Sequence, residues 1–416
     1  MGHRGCSLGY AGHSPRRTTA MHPHTDLPEP APGALHHSGI LADHIRGEIR
    51  HSGGAIPMSR FMELCLYAPG LGYYSAGSTK FGPAGDFVTA PESGRLFAAT
   101  VSGVLADGLR QLGGHARVLE VGGGSGAFAE VALKRMLELD ALPDRYAILE
   151  PSADLRERQR EHLERTLVPT VFELVEWLDR PFQDEWDGLL FANEVIDALP
   201  TPRFVLREGR VYEEHVALDG NDGFVRVDRP ADALLEAAVR HIEDYLEQPF
   251  ADGYRSELLP QLPYWLQAVG GGLRSGGMLF FDYGYARREY YQPQRSDGTL
   301  RAFYRQRMHE DVLRWPGLQD LTASVDFTAL AEAGTGAGLD LAGYCSQASF
   351  LLGNGIDQLL AEAESRTDEA GALRLRQELK RLTLPEQMGE RFQAMAFTRD
   401  IDLGAAFLLG DMTWRL

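Results

Sequence analysis

The sequence predicts an α/β protein built on a doubly wound parallel sheet. Three observations carry that expectation. The run Val118-Leu119-Glu120-Val121-Gly122-Gly123-Gly124-Ser125-Gly126 reads as a buried strand entering a tight glycine turn, and Ala127, Phe128, Val131 and Leu133 continue at roughly helical spacing. Apolar strand-like runs then alternate with helix-like runs over short links, as in a parallel sheet covered on both faces. Finally, Glu120, Glu150 and Asn193-Glu194 all terminate predicted strands, so they converge on the one sheet edge where open α/β folds bind ligands.

The elements follow in order. Residues 1–35 are poor in acids and rich in His, Pro, Arg and Gly, and they read as a disordered tail. The tail lacks the apolar core of a secretory signal, Met21 is a second candidate start, and its histidines have no metal-ligand spacing, so no metal site is expected. Residues 36–416 read as one domain in three stretches. Stretch 36–112 holds N-terminal helices, with Ile40–Arg50 helical and Ser59 capping a short second helix, and a glycine-rich loop, FGPAGDFVTAPE, at 81–92. Ser93–Leu112 reads as a helix leading to the glycine-turn strand. Stretch 113–228 holds the glycine-turn core. It includes the strand ending in Glu150, a helix capped by Ser152, a third strand within Val171–Leu178, a fourth over Trp186–Ala192, and a hairpin at Phe204–Val216. Stretch 229–416 holds insertions and the second half of the sheet. Helices are expected at Ala231–Leu246, Ser256–Val269 and Ser365–Leu382, strands at Gly277–Phe281, Leu339–Tyr344 and Phe392–Thr398, and a loop region at 285–325.

Two cofactors fit the glycine turn. Gly122-x-Gly124-x-x-Ala127 matches the loose dinucleotide fingerprint, whereas Glu120-x-Gly122-x-Gly124-x-Gly126 has the form used with S-adenosylmethionine (SAM). The acid favours SAM: a carboxylate at the strand tip repels a pyrophosphate and attracts an ammonium and a sulfonium. Glu150, at the next strand end, can accept both ribose hydroxyls of either cofactor. Asp86, Thr89 and Glu92, with Gly85, give the 81–92 loop the polar content of a loop that lines a site.

Composition narrows the class. Of 416 residues, 44% are hydrophobic and 24% charged, ordinary for a globular protein. A net charge of −18 without a basic stripe disfavours nucleic-acid binding. The three cysteines, Cys6, Cys65 and Cys345, are far apart and odd in number, which suits a reducing compartment better than a disulfide framework. No apolar run is long enough to span a membrane.

Several motifs follow one another in the order of a single family: GDFVTAPE (85–92), LEVGGGSG (119–126), ANEVIDALP (192–200), FDYG (281–284), GTLRAFYR (298–305), LTASVDFTAL (321–330) and SQASFLLGNGI (346–356). Over roughly residues 38–400 the chain resembles the MidA family of SAM-dependent methyltransferases. The resemblance implies a class I SAM-methyltransferase doubly wound sheet, with a helical N-terminal segment and inserted substrate-side elements. It implies N-methylation of an arginine on a protein substrate. Mitochondrial members do this while assisting assembly of respiratory complex I. Gly123 and Ser125 replace the Pro and Arg common in the family turn, and Ala98 replaces a common glycine, which points to a bacterial-type branch. The corresponding location is the cytoplasm of a bacterium, or the mitochondrial matrix in a eukaryote. The oligomeric state is left open.

Arginine is a poor nucleophile because it stays protonated. It needs carboxylates that hold the planar fork and draw positive charge away from the attacking nitrogen. Glu194 and Asp197, three apart after the fourth strand, can do this, and the Asn193 carbonyl oxygen can orient the nucleophile. The competing role for Asp197 is a helix N-cap. Asp282 and Tyr283, at another strand end, can shape the substrate pocket, and lone His309 reads as structural. A SAM-binding assembly chaperone with little turnover and a NAD-type oxidoreductase are the alternative functions.

Overall fold

The computed structural model describes residues 27–75 and 94–416. The expected tail up to residue 26 and the loop bearing Gly85, Asp86, Thr89 and Glu92 lie outside the described residues. The main sheet runs through seven strands, numbered here in chain order. They are β1 (Arg117–Val121), β2 (Arg145–Leu149), β3 (Val175–Leu178), β4 (Trp186–Asn193), β5 (Leu273–Tyr285), β6 (Asp340–Ser346) and β7 (Phe392–Arg399). Their spatial order is β3-β2-β1-β4-β5-β7-β6. Strands β1 to β5 are mutually parallel, as expected. The sheet is nonetheless not wholly parallel, because β7 lies antiparallel between β5 and β6. The cause is local. The helical excursion from Gln347 to Thr383 leaves β6 at Ser346 and returns the chain beside it, pairing Ser346 with Gln393. A parallel strand would have required a crossover to the opposite edge.

Alternation along the strands explains why both faces are covered. Leu189 and Phe191 of β4, with Leu279 and Phe281 of β5, belong to one apolar cluster, while Leu190 and Ala192, with Met278 and Phe280, belong to another. A side-chain period of two makes each central strand apolar on both sides, so helices must pack on both. The helices α3 (Leu96–Leu112), α4 (Ala127–Glu138) and α5 (Ala153–Thr166) cover the first face. The second is covered by helices Leu262–Gly270 and Phe327–Gly336.

Several boundaries differ from expectation, most of them at prolines. Helix α1 (Pro32–His51) starts eight residues ahead of Ile40, inside the stretch read as tail, with Pro32 in its first turn. Helix α2 (Met58–Tyr67) begins behind Pro57 without a side-chain cap, so Ser59 does not cap it. The segment 256–269 is not one helix: Pro260 breaks it, leaving a short strand, Arg255–Glu257, and a helix that starts beside Pro263. The third strand, Val175–Leu178, lies within the expected 171–178, preceded by a one-turn helix that Pro169 opens. The 285–325 region contains a small three-stranded sheet, Arg301–Tyr304, Arg307–His309 and Asp320–Thr322.

The hairpin Arg203–Arg207/Arg210–Leu218 forms as expected, and it belongs to a separate five-stranded antiparallel sheet with Ala55–Pro57, Phe224–Pro230 and Arg255–Glu257. A buried ion network holds this sheet to the 298–305 motif. The Arg203 guanidinium, 1% exposed, donates to Glu214 at 2.9 Å, to Glu257 at 2.8 Å and to the Asp297 carbonyl at 2.7 Å. Glu257 also accepts from the backbone N–H of Thr299 and Leu300 at 2.7 and 3.2 Å. Arg255 closes the network against Glu214 and Asp228. Replacing Arg203 by Met keeps the aliphatic stem and leaves two buried carboxylates without it. We expect Arg203→Met to lower unfolding free energy by about 3–5 kcal/mol, measured by urea denaturation. A loss within about 1 kcal/mol would show that the network is solvated.

Candidate active site

The glycine turn is built by backbone geometry that only glycine adopts cheaply. Gly122 and Gly124 have φ of +72° and +52°. The Gly122 N–H donates to the Leu149 carbonyl at 3.0 Å, which ties the turn to the end of β2 beside Glu150. A bond from Gly126 N–H to the Gly123 carbonyl, 2.8 Å, closes the turn and starts α4. Gly126 is at φ +85° as the residue capping α4. Its Cβ position faces Gln159 and His162 of α5, and Gly126 does not itself line the cavity described below, although Ala127 and Phe128 after it do. Behind the turn, the Gln159 side chain donates to the Gly124 carbonyl at 2.9 Å, accepts from the Trp177 indole at 3.0 Å, and lies 3.5 Å from the Glu150 carboxylate. Gln159 is fully buried and was not anticipated. The signal was present: it occupies the apolar stripe of α5 between Leu155 and Leu163, four residues from each.

The turn opens on a cavity of about 750 Å³. Gly122, Gly124, Glu120, Glu150, Asn193, Glu194 and Asp197 all line it, so the strand ends expected to converge do so. Six carboxylates are on its wall, those of Glu120, Glu150, Asp154, Glu194, Asp197 and Asp320. Among the described residues no Lys, Arg or His lines it. Glu120 is 3% exposed and accepts from the Tyr146 hydroxyl at 2.8 Å. Burial pushes its carboxyl up to about 7, opposed by that hydrogen bond and reinforced by the Glu150 charge. Glu150 accepts from the Ser152 N–H at 2.9 Å, so part of its role is to fix the start of α5.

At the end of β4 the Asn193 amide donates to Glu194 Oε1 at 3.1 Å, leaving its Oδ1 buried without a hydrogen-bond partner. Glu194 itself sits at φ +52°, in the left-handed region that a non-glycine residue enters at a cost of about 1–2 kcal/mol. Its N–H is held by the Phe281 carbonyl at 2.8 Å. Strain of this kind persists only where surrounding structure imposes it. Asp197 is 3% exposed, and the segment after it is a turn, so the helix N-cap reading does not hold. Burial pushes the Asp197 carboxyl up to about 6, with the Tyr283 hydroxyl pulling it the other way.

Asp282 is not on the cavity wall. Its carboxylate is 1% exposed and accepts from the N–H of Ile196 at 3.0 Å, of Asp197 at 3.2 Å and of Tyr283 at 2.9 Å. It therefore positions the 194–199 loop rather than lining the pocket. Tyr283 is likewise absent from the wall, and His309 is buried in the small three-stranded sheet, in keeping with a structural role. Tyr67, Tyr73, Tyr74 and Asp320, which the sequence had not marked as site residues, do line the cavity.

The donor set fits SAM. A glycine turn without Cβ atoms, an acid at the tip of β2 and a wall of carboxylates match a ligand carrying an ammonium, a sulfonium and a ribose. The same wall opposes the pyrophosphate of a dinucleotide.

Comparison with known proteins agrees. The family model described as "Putative S-adenosyl-L-methionine-dependent methyltransferase" matches residues 100–345. The chain is 29% identical to the mitochondrial protein arginine methyltransferase NDUFAF7 homolog of Drosophila melanogaster, over 91% of this chain and 89% of that one. It is 30% identical to the Bos taurus NDUFAF7 protein, over 83% of this chain and 80% of that one. A Burkholderia thailandensis protein crystallised with S-adenosyl-homocysteine superposes with a TM-score of 0.87 at 41% identity, covering 94% of this chain and all of its own. The dinucleotide alternative left open by the glycine turn falls with these matches. The chain belongs to the MidA-type family of S-adenosyl-L-methionine-dependent methyltransferases.

Proposed function

We propose that this methyltransferase N-methylates an arginine side chain of a protein partner, with residues 36–416 acting as one catalytic unit. The observation that carries the reading is a cavity with six carboxylates and, among its described lining residues, no basic side chain. Such a wall suits a cationic acceptor beside a cationic cofactor. The relatives named protein arginine methyltransferase support the same acceptor. A respiratory complex I subunit is the first candidate partner from the family resemblance.

The cofactor supplies the sulfonium methyl group when bound. In the proposed site the backbone of Gly122 and Gly124 cradles its methionyl part, Glu120 faces its ammonium, and the Glu150 carboxylate takes a ribose hydroxyl. Glu194 and Asp197 grip the guanidinium and localise its charge on the nitrogens that do not react. The Asn193 Oδ1, which has no hydrogen-bond partner while the amide nitrogen is committed to Glu194, accepts an N–H of the reacting nitrogen. Asp197, poised near 6, receives the proton that the nitrogen releases.

Three outcomes test this. Incubating the full chain with labelled SAM and an extract of a strain lacking it should place label on arginine of one protein, located by fragmentation mass spectrometry. Label on lysine, glutamine or a small molecule would overturn the acceptor, and SAM binding without any transfer would favour a chaperone.

Glu194→Gln retains shape and removes charge. Single-turnover transfer should fall on the order of 10²-fold while SAM affinity, read by calorimetry, stays near wild type. Asp197→Asn should also lower transfer, since no helix follows that an Asn could cap. Full activity in both variants would refute the carboxylate clamp.

The third outcome is a pH dependence. Glu120 ionises near 7 when folded, against about 4.3 in an unfolded chain. Between those values the folded state holds more protons, so ionising Glu120 costs stability as pH rises through the window. A bound ammonium offsets that cost. The melting-temperature increase given by S-adenosyl-homocysteine should therefore be larger at about pH 8 than at about pH 6, and Glu120→Gln should flatten the difference. An equal increase at both values in wild type would remove Glu120 from the ammonium.

A further inference from the structure

Tyr67, Tyr74 and Asp320 form a further wall of the same cavity, and none of them belongs to the glycine turn or to the 194–199 loop. Its three residues come from the end of α2, from the loop that follows, and from the strand Asp320–Thr322. The Tyr67 and Tyr74 rings stack with centroids 5.6 Å apart and planes 22° from parallel, and Tyr73 meets Tyr74 edge-on at 5.1 Å. Both hydroxyls are committed at the ring edges. Tyr74 donates to Asp320 Oδ1 at 2.9 Å, and Tyr67 donates to the Ala198 carbonyl at 2.9 Å, one residue beyond Asp197. Asp197 in turn accepts through its carbonyl from the Ala323 N–H at 2.9 Å, so the aromatic wall and the carboxylate loop are fastened to each other at two points.

This construction fixes what the cavity presents. Tyr73 is 3% exposed, whereas Tyr67 is 39% exposed, so Tyr67 has ring surface to offer a ligand. Burial and the Asp320 and Asp197 charges hold the Tyr67 and Tyr74 hydroxyls above their ordinary range, so both remain neutral donors. An electron-rich ring face beside a buried carboxylate attracts a cation, and a planar, weakly hydrated guanidinium gains more from stacking than a compact, strongly hydrated ammonium.

We propose that Tyr67 and Tyr74, with Asp320, are specificity-determining residues that select a guanidinium over an alkylammonium on the acceptor side of the cavity. The proposal rests on the arginine reading of the acceptor. The probes are N-acetyl-arginine methylamide and N-acetyl-lysine methylamide, titrated into the full chain saturated with S-adenosyl-homocysteine and followed by saturation-transfer NMR. Wild type should bind the arginine probe about tenfold more tightly than the lysine probe. Tyr67→Leu should bring that ratio to about one, while Tyr67→Phe, which keeps the ring and loses only the bond to Ala198, should preserve it. Asp320→Asn should weaken both probes with the ratio retained, and it provides a second reading should Tyr67→Leu not fold. A wild-type ratio that survives in Tyr67→Leu, or affinities unchanged in Asp320→Asn, overturns the wall while leaving the arginine acceptor standing. A wild-type chain that does not prefer the arginine probe overturns both.

Discussion

The Asp282 carboxylate is the tie on which the site depends. It lies at the end of β5, yet it accepts the backbone N–H groups of Ile196 and Asp197, which follow β4. Without that acceptor two buried amide donors would lack a partner, a cost of several kcal/mol that no nearby loop could relieve. The consequence is a fixed path from Asn193 to Leu199. On that path Glu194 sits at φ +52°, and Glu194 and Asp197 both line the cavity that the glycine turn also lines. Burial, with the charges of Asp197 and Glu194, raises the Asp282 carboxyl well above the usual range.

Acids are used in two opposite ways in this chain. In the antiparallel sheet, Glu214 and Glu257, buried, and Asp228, half-buried, pair with Arg203 and Arg255, and their charges are answered within the protein. Around the cavity, six acids share a wall on which no described residue is basic. Burial pushes Glu120 and Asp197 toward neutrality there, so charge on this wall is fully expressed only when something positive enters. The first arrangement fixes structure. The second leaves an unanswered negative charge suited to a cationic ligand.

The two arrangements meet through the insertions. Glu257 holds Thr299, whose hydroxyl accepts the Ser324 N–H at 2.9 Å, and Ala323 beside it is bonded to the Asp197 carbonyl. The ion network is thereby linked through 299 and 323–324 to the loop that carries Asp197. A class I sheet by itself supplies the glycine turn and the acids after β2 and β4. The inserted sheet and the α2 loop supply the wall that faces them.

By itself the sequence determined the sheet edge and its chemistry. Glu120, the glycines, Glu150 and Asn193-Glu194 were legible because each lies at or just past the end of an apolar strand, and strands in a parallel sheet deliver their ends to one edge whatever the rest of the chain does. Gln159 was legible in principle, as a polar residue on an apolar stripe. What only the tertiary structure decided are contacts between segments far apart in the chain. Tyr67 reaches Ala198 across 131 positions and Tyr74 reaches Asp320 across 246, so no local pattern announces them. Gly126 and Asp282 show the same limit from the other side. Each stands beside residues that line the cavity, but Gly126 caps a helix and the Asp282 side chain is a buried clamp. The antiparallel β7 was likewise invisible, because its direction is set by where a helical excursion returns to the sheet and not by the residues of the strand.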